Sequence, residues 1–127
     1  MKRILLMDDE QVVLDFLGQI LRHLGYDVAT TTAGAQAIDA YVREKSEAKP
    51  FDVVIMDLVI ANGMGGQETV AELKKIDPTA RAIATSGHLD HPVMVDHRAF
   101  HFDATLPKPY KMDRLKEVIE GVINASA

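Results

Sequence analysis

The sequence contains no cysteine among its 127 residues. Without a thiol the chain cannot form a disulfide scaffold, a thiolate zinc site, a cysteine-held iron–sulfur cluster or a cysteine nucleophile. Long apolar runs are also missing, since runs such as residues 4–7 and 53–56 are far shorter than the roughly 20 residues that cross a membrane. The N-terminus begins like a signal peptide, but residues 8–10 are acidic and interrupt its apolar segment. We therefore expect a cytosolic protein.

Positive charge is scarce as well, with 14 Lys and Arg residues against 19 Asp and Glu residues and a net charge of −5. This balance gives no broad electrostatic attraction to nucleic acid or anionic lipid, so we expect neither as a direct partner. Apolar residues make up 47% and charged residues 26% of the chain, which is typical of a globular domain and excludes a disordered or collagen-like chain. We predict that residues 1–127 form a single domain.

Short apolar segments alternate with longer amphipathic segments along the chain. The short ones predict five buried strands at residues 3–7, 27–30, 52–57, 80–85 and 104–106. The amphipathic ones predict helices at about residues 13–24, 35–47, 66–76, 91–100 and 111–123. Strands that are apolar almost throughout are typical of a parallel sheet covered on both faces. The order β-α repeated five times, with right-handed crossovers, predicts a doubly wound α/β fold.

Helical spacing also predicts which side chains face the core. In the first three helices these are Val13, Phe16, Leu17, Ile20 and Leu24, then Ile38, Tyr41 and Val42, then Val70, Leu73 and Ile76.

Polar side chains follow four of the predicted strands at their carboxyl ends, where open α/β sheets bind ligands. They are Asp8, Asp9 and Glu10 after the first strand, Asp57 at the end of the third, Ser86 after the fourth and Lys108 after the fifth. Taken singly, each fits a helix cap, a turn or a solvated loop. Taken together, the carboxylates need a divalent cation, and oxygen ligands suit Mg²⁺ or Mn²⁺ better than Zn²⁺. A lysine and a hydroxyl nearby complete a phosphoryl site, in which a carboxylate can act as a nucleophile.

The ordered motifs resemble the receiver domain of two-component response regulators, the CheY-like family, from Arg3 to about Asn124. The motifs are Met7-Asp8-Asp9-Glu10, the strand at residues 52–57, the Gly63-Met64-Gly65-Gly66 turn, Ala84-Thr85-Ser86-Gly87 and Leu106-Pro107-Lys108-Pro109-Tyr110. From Met64 to Tyr110 the chain is similar to receivers attached to sensory hybrid histidine kinases. The resemblance implies a flavodoxin-like, five-stranded parallel sheet of order 2-1-3-4-5.

The resemblance also implies a role for individual residues. Asp57 is the implied phosphoacceptor, Ser86 and Lys108 contact the phosphoryl group, and Mg²⁺ or Mn²⁺ is held by Asp8, Asp9, Asp57 and the backbone carbonyl of Val59. The Lys108–Pro109 bond is often cis in this family. The implied donor is a sensor histidine kinase or a histidine phosphotransfer domain. Phosphorylation would then switch the surface of the fourth helix, fifth strand and fifth helix towards a downstream protein or a covalently linked kinase.

One departure leaves alternatives open. Where the family usually has an aromatic ring, three residues before the lysine, this chain has Thr105. A phosphorylation-independent interaction module is therefore a second hypothesis. A Mg²⁺-dependent phosphatase is a third, although such enzymes usually need an Asp where this chain has Val59. Separately, His97 and His101 have the i, i+4 spacing of a helical metal site, but exposed surface residues are the favoured interpretation.

Overall fold

The computed structural model describes residues 1–61 and 63–125, so the last two residues of the predicted domain lie outside the described part. The strands are β1 Arg3–Met7, β2 Asp27–Thr31, β3 Val53–Asp57, β4 Ala82–Ser86 and β5 Ala104–Pro107. The helices are α1 Gln11–His23, α2 Gly34–Ser46, α3 Gly66–Ile76, α4 Pro92–Val95 and α5 Met112–Asn124. None of the helices that these residues form has both the length and the apolar character to cross a bilayer.

The five strands form one parallel sheet in the order β2-β1-β3-β4-β5, which confirms the predicted fold. In the register, Leu5 of β1 lies opposite Ala29 of β2 and Val54 of β3. Every residue of β3 and β4 is buried. The central strands are apolar almost throughout because helices cover both faces of the sheet.

Alternate strand residues divide the core into two layers, as the pleat of a strand requires. Leu5 and Met7 face the layer that contains Tyr41 of α2 and Leu73 of α3. The neighbours of these strand residues face the layer formed with the apolar sides of α1 and α5, which includes Leu14, Leu17, Leu115 and Ile119. The two layers hold the sheet between them. Because its strands are parallel, the carboxyl ends of β1, β3, β4 and β5 all lie at one edge of the sheet.

The predicted core faces of the first three helices are partly wrong. In α1 the buried side chains are Leu14, Leu17 and Leu21, while Phe16 is exposed. The helix carries two adjacent apolar rows, and the spacing alone does not say which row meets the sheet. In α2 and α3, Val42 and Ile76 are also exposed, while Ala37, Ala40 and Tyr41 of α2 are buried.

The predicted fourth helix is not continuous. It forms a single α-helical turn, α4, followed by a 3₁₀ turn at His97–Phe100, with Asp96 between them in a non-helical conformation (φ −142°, ψ 80°). Val93 is the buried residue of α4, and one anchoring side chain supplies little packing to stabilise a longer helix. His101 adopts a left-handed conformation (φ 72°). The histidine pair therefore lacks the α-helical geometry that the i, i+4 metal-site interpretation needs.

At the edge of the sheet where the strands begin, Asp77 is a buried carboxylate directly after α3. Its Oδ2 accepts a hydrogen bond from Tyr41 Oη at 2.7 Å and lies 2.8 Å from Lys45 Nζ. Its Oδ1 accepts from the backbone N–H of Thr79 at 3.0 Å and from the Thr79 hydroxyl at 2.6 Å. Burial by itself raises the pKa of Asp77, but the hydrogen bonds from Lys45, Thr79 and Tyr41 outweigh it and hold the pKa well below its usual range.

Candidate functional site

The carboxyl ends of four strands bring the predicted site residues to one edge of the sheet. Asp57 is the last residue of β3 and Ser86 is the last residue of β4, while Asp8 and Lys108 follow β1 and β5 directly. Asp8, Asp57 and Ser86 are buried, with between 1% and 5% of their surface exposed. Buried polar groups at the end of a sheet are held in fixed positions, as a reactive site requires.

Lys108 joins two buried aspartates. Its Nζ lies 2.9 Å from Asp8 Oδ2 and 3.1 Å from Asp57 Oδ2. Burial by itself lowers the pKa of Lys108, but the hydrogen bonds to Asp8 and Asp57 outweigh it and raise the pKa above its usual value. The side chain therefore remains a charged ammonium group at neutral pH. One positive charge is shared by two negative charges, which leaves the site with excess negative charge.

The Asp57 carboxylate is only partly compensated. Burial raises its pKa, and the neighbouring charge of Asp8 raises it further. The backbone N–H of Val59, which donates to Asp57 Oδ1 at 3.2 Å, and the shared bond from Lys108 lower it, but the net shift is upward. An acidic group whose pKa is raised by burial and by a neighbouring carboxylate is a candidate for a functional role.

The carboxylate oxygens of Asp8, Asp9 and Glu10 lie within 4.8 Å of one another. Two backbone donors orient them: the N–H of Glu10 donates to Asp8 Oδ1 at 2.9 Å, and the N–H of Ala61 donates to Asp9 Oδ2 at 3.0 Å. Oxygen donors without nitrogen or sulfur fit Mg²⁺, the cation predicted from the residue types. Glu10 was not among the predicted ligands, although its place in an unbroken acidic triplet could have indicated it.

Asp57 and Val59 border this acidic cluster. Asp57 is connected to Asp8 through the Lys108 ammonium group, and the Val59 N–H bonded to Asp57 keeps the loop after β3 at the same edge. The Val59 side chain is half-exposed. The four predicted metal-holding positions therefore surround the same corner of the sheet.

Ser86 lies beside Lys108 through the backbone. The N–H of Lys108 donates to the Ser86 carbonyl at 3.0 Å, which extends the pairing of β4 with β5 by one bond. The Ser86 hydroxyl oxygen accepts from the backbone N–H of His88 at 2.9 Å, so its position is set by the turn that follows β4. The Lys108–Pro109 peptide is cis, as the resemblance implies.

Two residues without a predicted role also meet at this edge. Thr85 Oγ1 and Tyr110 Oη are 2.6 Å apart, and Thr85 is almost fully buried. Burial is the main cause that raises the pKa of Tyr110 to about 12, so its hydroxyl stays protonated at neutral pH. Hydrophobic periodicity gives no signal for such a contact, because the two residues are far apart in sequence, with Thr85 in β4 and Tyr110 in the loop after β5.

The chain is similar to known proteins over almost its whole length. The family described as Response regulator receiver domain matches residues 4–120. A response regulator receiver protein from Anaeromyxobacter sp. is 33% identical over 118 residues, which cover 93% of this chain and 47% of that protein. The chemotaxis protein CheY of Thermotoga maritima is 30% identical over 122 residues, which cover 95% of this chain and 97% of CheY.

The chain thus spans about half the length of the first relative and nearly all of the second. Among solved structures, the receiver domain of a sensor histidine kinase from Pseudomonas aeruginosa PAO1 superposes with a TM-score of 0.85 at 22% identity, covering 98% of each chain. That structure has a magnesium ion coordinated in its active-site cleft. At this identity the likeness establishes a shared fold.

Proposed function

We propose, from the premise that this chain belongs to the Response regulator receiver domain family, that Asp57 is the residue on which it accepts a phosphoryl group in two-component signalling. The observation that carries the proposal is the Lys108 ammonium group, which lies between the carboxylates of Asp57 and Asp8 at the carboxyl edge of the sheet. The arrangement offers an oxygen nucleophile beside a fixed positive charge, which is what phosphoryl transfer needs.

In the proposed reaction an oxygen of Asp57 attacks the phosphorus atom of a phosphohistidine on a kinase or phosphotransfer domain. The new P–O bond forms as the P–N bond breaks, and the imidazole leaves with the electron pair of that bond. Lys108 then faces the phosphoryl oxygens, where its charge offsets theirs, and the Ser86 hydroxyl donates a hydrogen bond to one of them. Water later attacks the acyl phosphate, releasing inorganic phosphate and restoring the carboxylate.

Mg²⁺ is the proposed cofactor, and Mn²⁺ offers the same chemistry. Asp8, Asp9, Asp57 and the carbonyl of Val59 would hold it, and the oxygens of Glu10 lie close enough to Asp8 and Asp9 to take part directly or through water. A bound divalent cation supplies the positive charge that Lys108 alone does not, because three or more carboxylates share this corner.

We further propose the extent of the domain, its phosphoryl donor, its location and its output surface. Residues 1–127 form one receiver domain, a signalling domain that supplies catalytic groups for its own phosphorylation and dephosphorylation. Its donor is a histidine kinase or phosphotransfer domain in the cytoplasm. The changed surface of α4, β5 and α5 addresses a downstream protein or a linked kinase. The family match and the Asp57–Lys108 pair favour this function over an interaction module or a phosphatase.

Incubation of the purified chain with Mg²⁺ and acetyl phosphate tests the proposal. We expect the intact mass to increase by one phosphoryl group and hydroxylamine to reverse the increase, because an acyl phosphate is cleaved by that nucleophile. Asp57→Asn should abolish the increase. Asp77→Asn is the matched control, since it makes the same substitution at a buried carboxylate on the opposite edge.

Two results would contradict the proposal. One is an unchanged mass when the same donor phosphorylates another receiver in parallel. The other is a phosphoryl group that still appears in Asp57→Asn, which would place the acceptor at a different side chain.

A further inference from the structure

Thr85 lies at the junction of three parts of the site. In the sheet register it is the partner of Asp57, and its carbonyl accepts a hydrogen bond from the N–H of Leu58 at 3.1 Å. The next residue along β4 is Ser86. A shift of Thr85 therefore moves the strand end that carries the Ser86 hydroxyl relative to the strand end that carries Asp57.

Tyr110 occupies the matching place in the loop after β5, two residues beyond Lys108. Its hydroxyl is 2.6 Å from Thr85 Oγ1, a short distance even for a bond between two hydroxyls. Below this contact, the Lys108 N–H bonds the Ser86 carbonyl at 3.0 Å. The loop that carries Lys108 is thus attached to the end of β4 at the lysine itself and again two residues beyond it.

We propose that the Thr85–Tyr110 hydrogen bond is a positioning pair for phosphoryl transfer, which holds the backbone of Lys108 so that its ammonium group stays between Asp8 and Asp57. The inference rests on the proposed function of Asp57. A lysine side chain is long and flexible, so the place of its charge depends on how firmly its backbone is held. Misplacement of a catalytic charge by a fraction of an ångström is enough to slow a reaction.

The hydroxyl groups, rather than the bulk of the side chains, carry this role. Tyr110 packs against the apolar layer under α1 and α5, and Thr85 is 2% exposed. Phe and Val would fill the same space at these two positions. They have no hydroxyl group and would lack the hydrogen bond that joins the loop after β5 to the end of β4. The apolar contacts that remain are not directional, so they hold the loop less firmly.

The test is a double-mutant cycle with Tyr110→Phe and Thr85→Val. The initial rate of phosphoryl incorporation from acetyl phosphate is measured at saturating Mg²⁺, under conditions in which every variant is fully folded. We expect each single variant to react about two- to tenfold more slowly, as the loss of one positioning hydrogen bond predicts. The double variant should be no slower than either single one, and Thr85→Ser should restore the rate.

A second readout needs neither metal nor phosphodonor. In the metal-free protein, the ¹⁵N signal of the Lys108 ammonium group should be sharp while two carboxylates hold it. We expect that signal to broaden in Tyr110→Phe and in Thr85→Val, and to stay sharp in Thr85→Ser.

Tyr41→Phe is the matched control, because it removes another tyrosine hydroxyl bonded at 2.7 Å, at the opposite edge. It should lower stability and leave both readouts unchanged. A Tyr110→Phe variant with the wild-type rate and a sharp Lys108 signal overturns this inference alone, and so do additive effects in the cycle. A wild-type chain that takes up no phosphoryl group overturns the proposed function and, with it, this inference.

Discussion

Asp57 and Asp77 are two buried carboxylates of one sheet, at its carboxyl and amino edges, and each is 5% exposed. Their pKa values nevertheless move in opposite directions: that of Asp57 is raised and that of Asp77 is lowered. Burial raises the pKa of a carboxyl group in both places. The difference therefore comes from the partners that each carboxylate has.

Among the residues that the structure describes, Asp77 has four donors that it shares with no other carboxylate, two for each of its oxygens. Asp57 has the N–H of Val59 and a lysine that it shares with Asp8. Because these donors occupy all of its lone pairs, the carboxylate of Asp77 is not available as a nucleophile or a metal ligand. Partial satisfaction leaves Asp57 with free lone pairs and an uncompensated negative charge, which a divalent cation would offset. The number of donors thus separates a structural carboxylate from a reactive one.

The same isosteric substitution at the two sites gives the sharpest test of this comparison. Asp77→Asn should lower the free energy of unfolding by about 1.5–3 kcal/mol, since hydrogen bonds to a charged group are lost. Asp57→Asn should raise it by about 0.5–2 kcal/mol in metal-free buffer, because one of several mutually repelling charges disappears. Urea unfolding, followed by circular dichroism, measures both values.

Phosphoryl incorporation should show the reverse pattern, lost in Asp57→Asn and kept in Asp77→Asn. If both variants lost stability to the same extent, the donor count would not distinguish the two carboxylates. Asp57 could still be the phosphoacceptor in that case, but its few donors would not be the reason for its reactivity.

The pH dependence of stability also reports on the charged form of Asp77. A carboxyl group whose pKa is lowered by folding stabilises the protein above the pKa of the unfolded chain, about 3.9 for Asp, and that contribution is lost as the pH falls below it. We therefore expect the stability gap between wild type and Asp77→Asn to be constant at pH 6–7 and to narrow below about pH 4. Unfolding curves of the pair at matched pH values measure the gap. A gap that stays constant down to about pH 3 would show that Asp77 is not held in its charged form.

The fold was largely predictable from the sequence because its signals are local. Apolar strands such as β3 and the stop at Asp77-Pro78 mark the elements, and the alternation of strands and helices limits the topology. The faces of the helices were less predictable. Phe16 and Leu14 belong to neighbouring apolar rows of α1, and only packing against the sheet decides between them. The prediction of a continuous fourth helix was wrong, because the segment has too little packing against the core to stabilise more than one α-helical turn.

The site was predictable as a set of positions and not as a network. Asp8, Asp57, Ser86 and Lys108 stand at strand ends, and parallel strands bring such ends together. Which donor meets which acceptor depends on loop conformation over long separations in sequence. The Thr85–Tyr110 bond and the bonds from Tyr41 and Lys45 to Asp77 are of this kind. In the sequence, Asp77 fits the end of a helix before Pro78 and gives no signal of its contacts.

The smallest expected effect on stability is that of replacing Lys45, the lysine beside Asp77. Lys45 lies 2.8 Å from Asp77 Oδ2, but half of its side chain is exposed, so water can replace much of its contribution. Lys45→Met should therefore lower the free energy of unfolding by only about 0.2–1 kcal/mol. Lys108→Met, with a side chain that is 20% exposed, should cost more, because it leaves two buried carboxylates without their shared cation. Thermal unfolding of both variants measures the difference. A loss in Lys45→Met as large as that in Asp77→Asn would mean that the lysine, rather than the hydroxyls of Tyr41 and Thr79, holds Asp77 in its charged form.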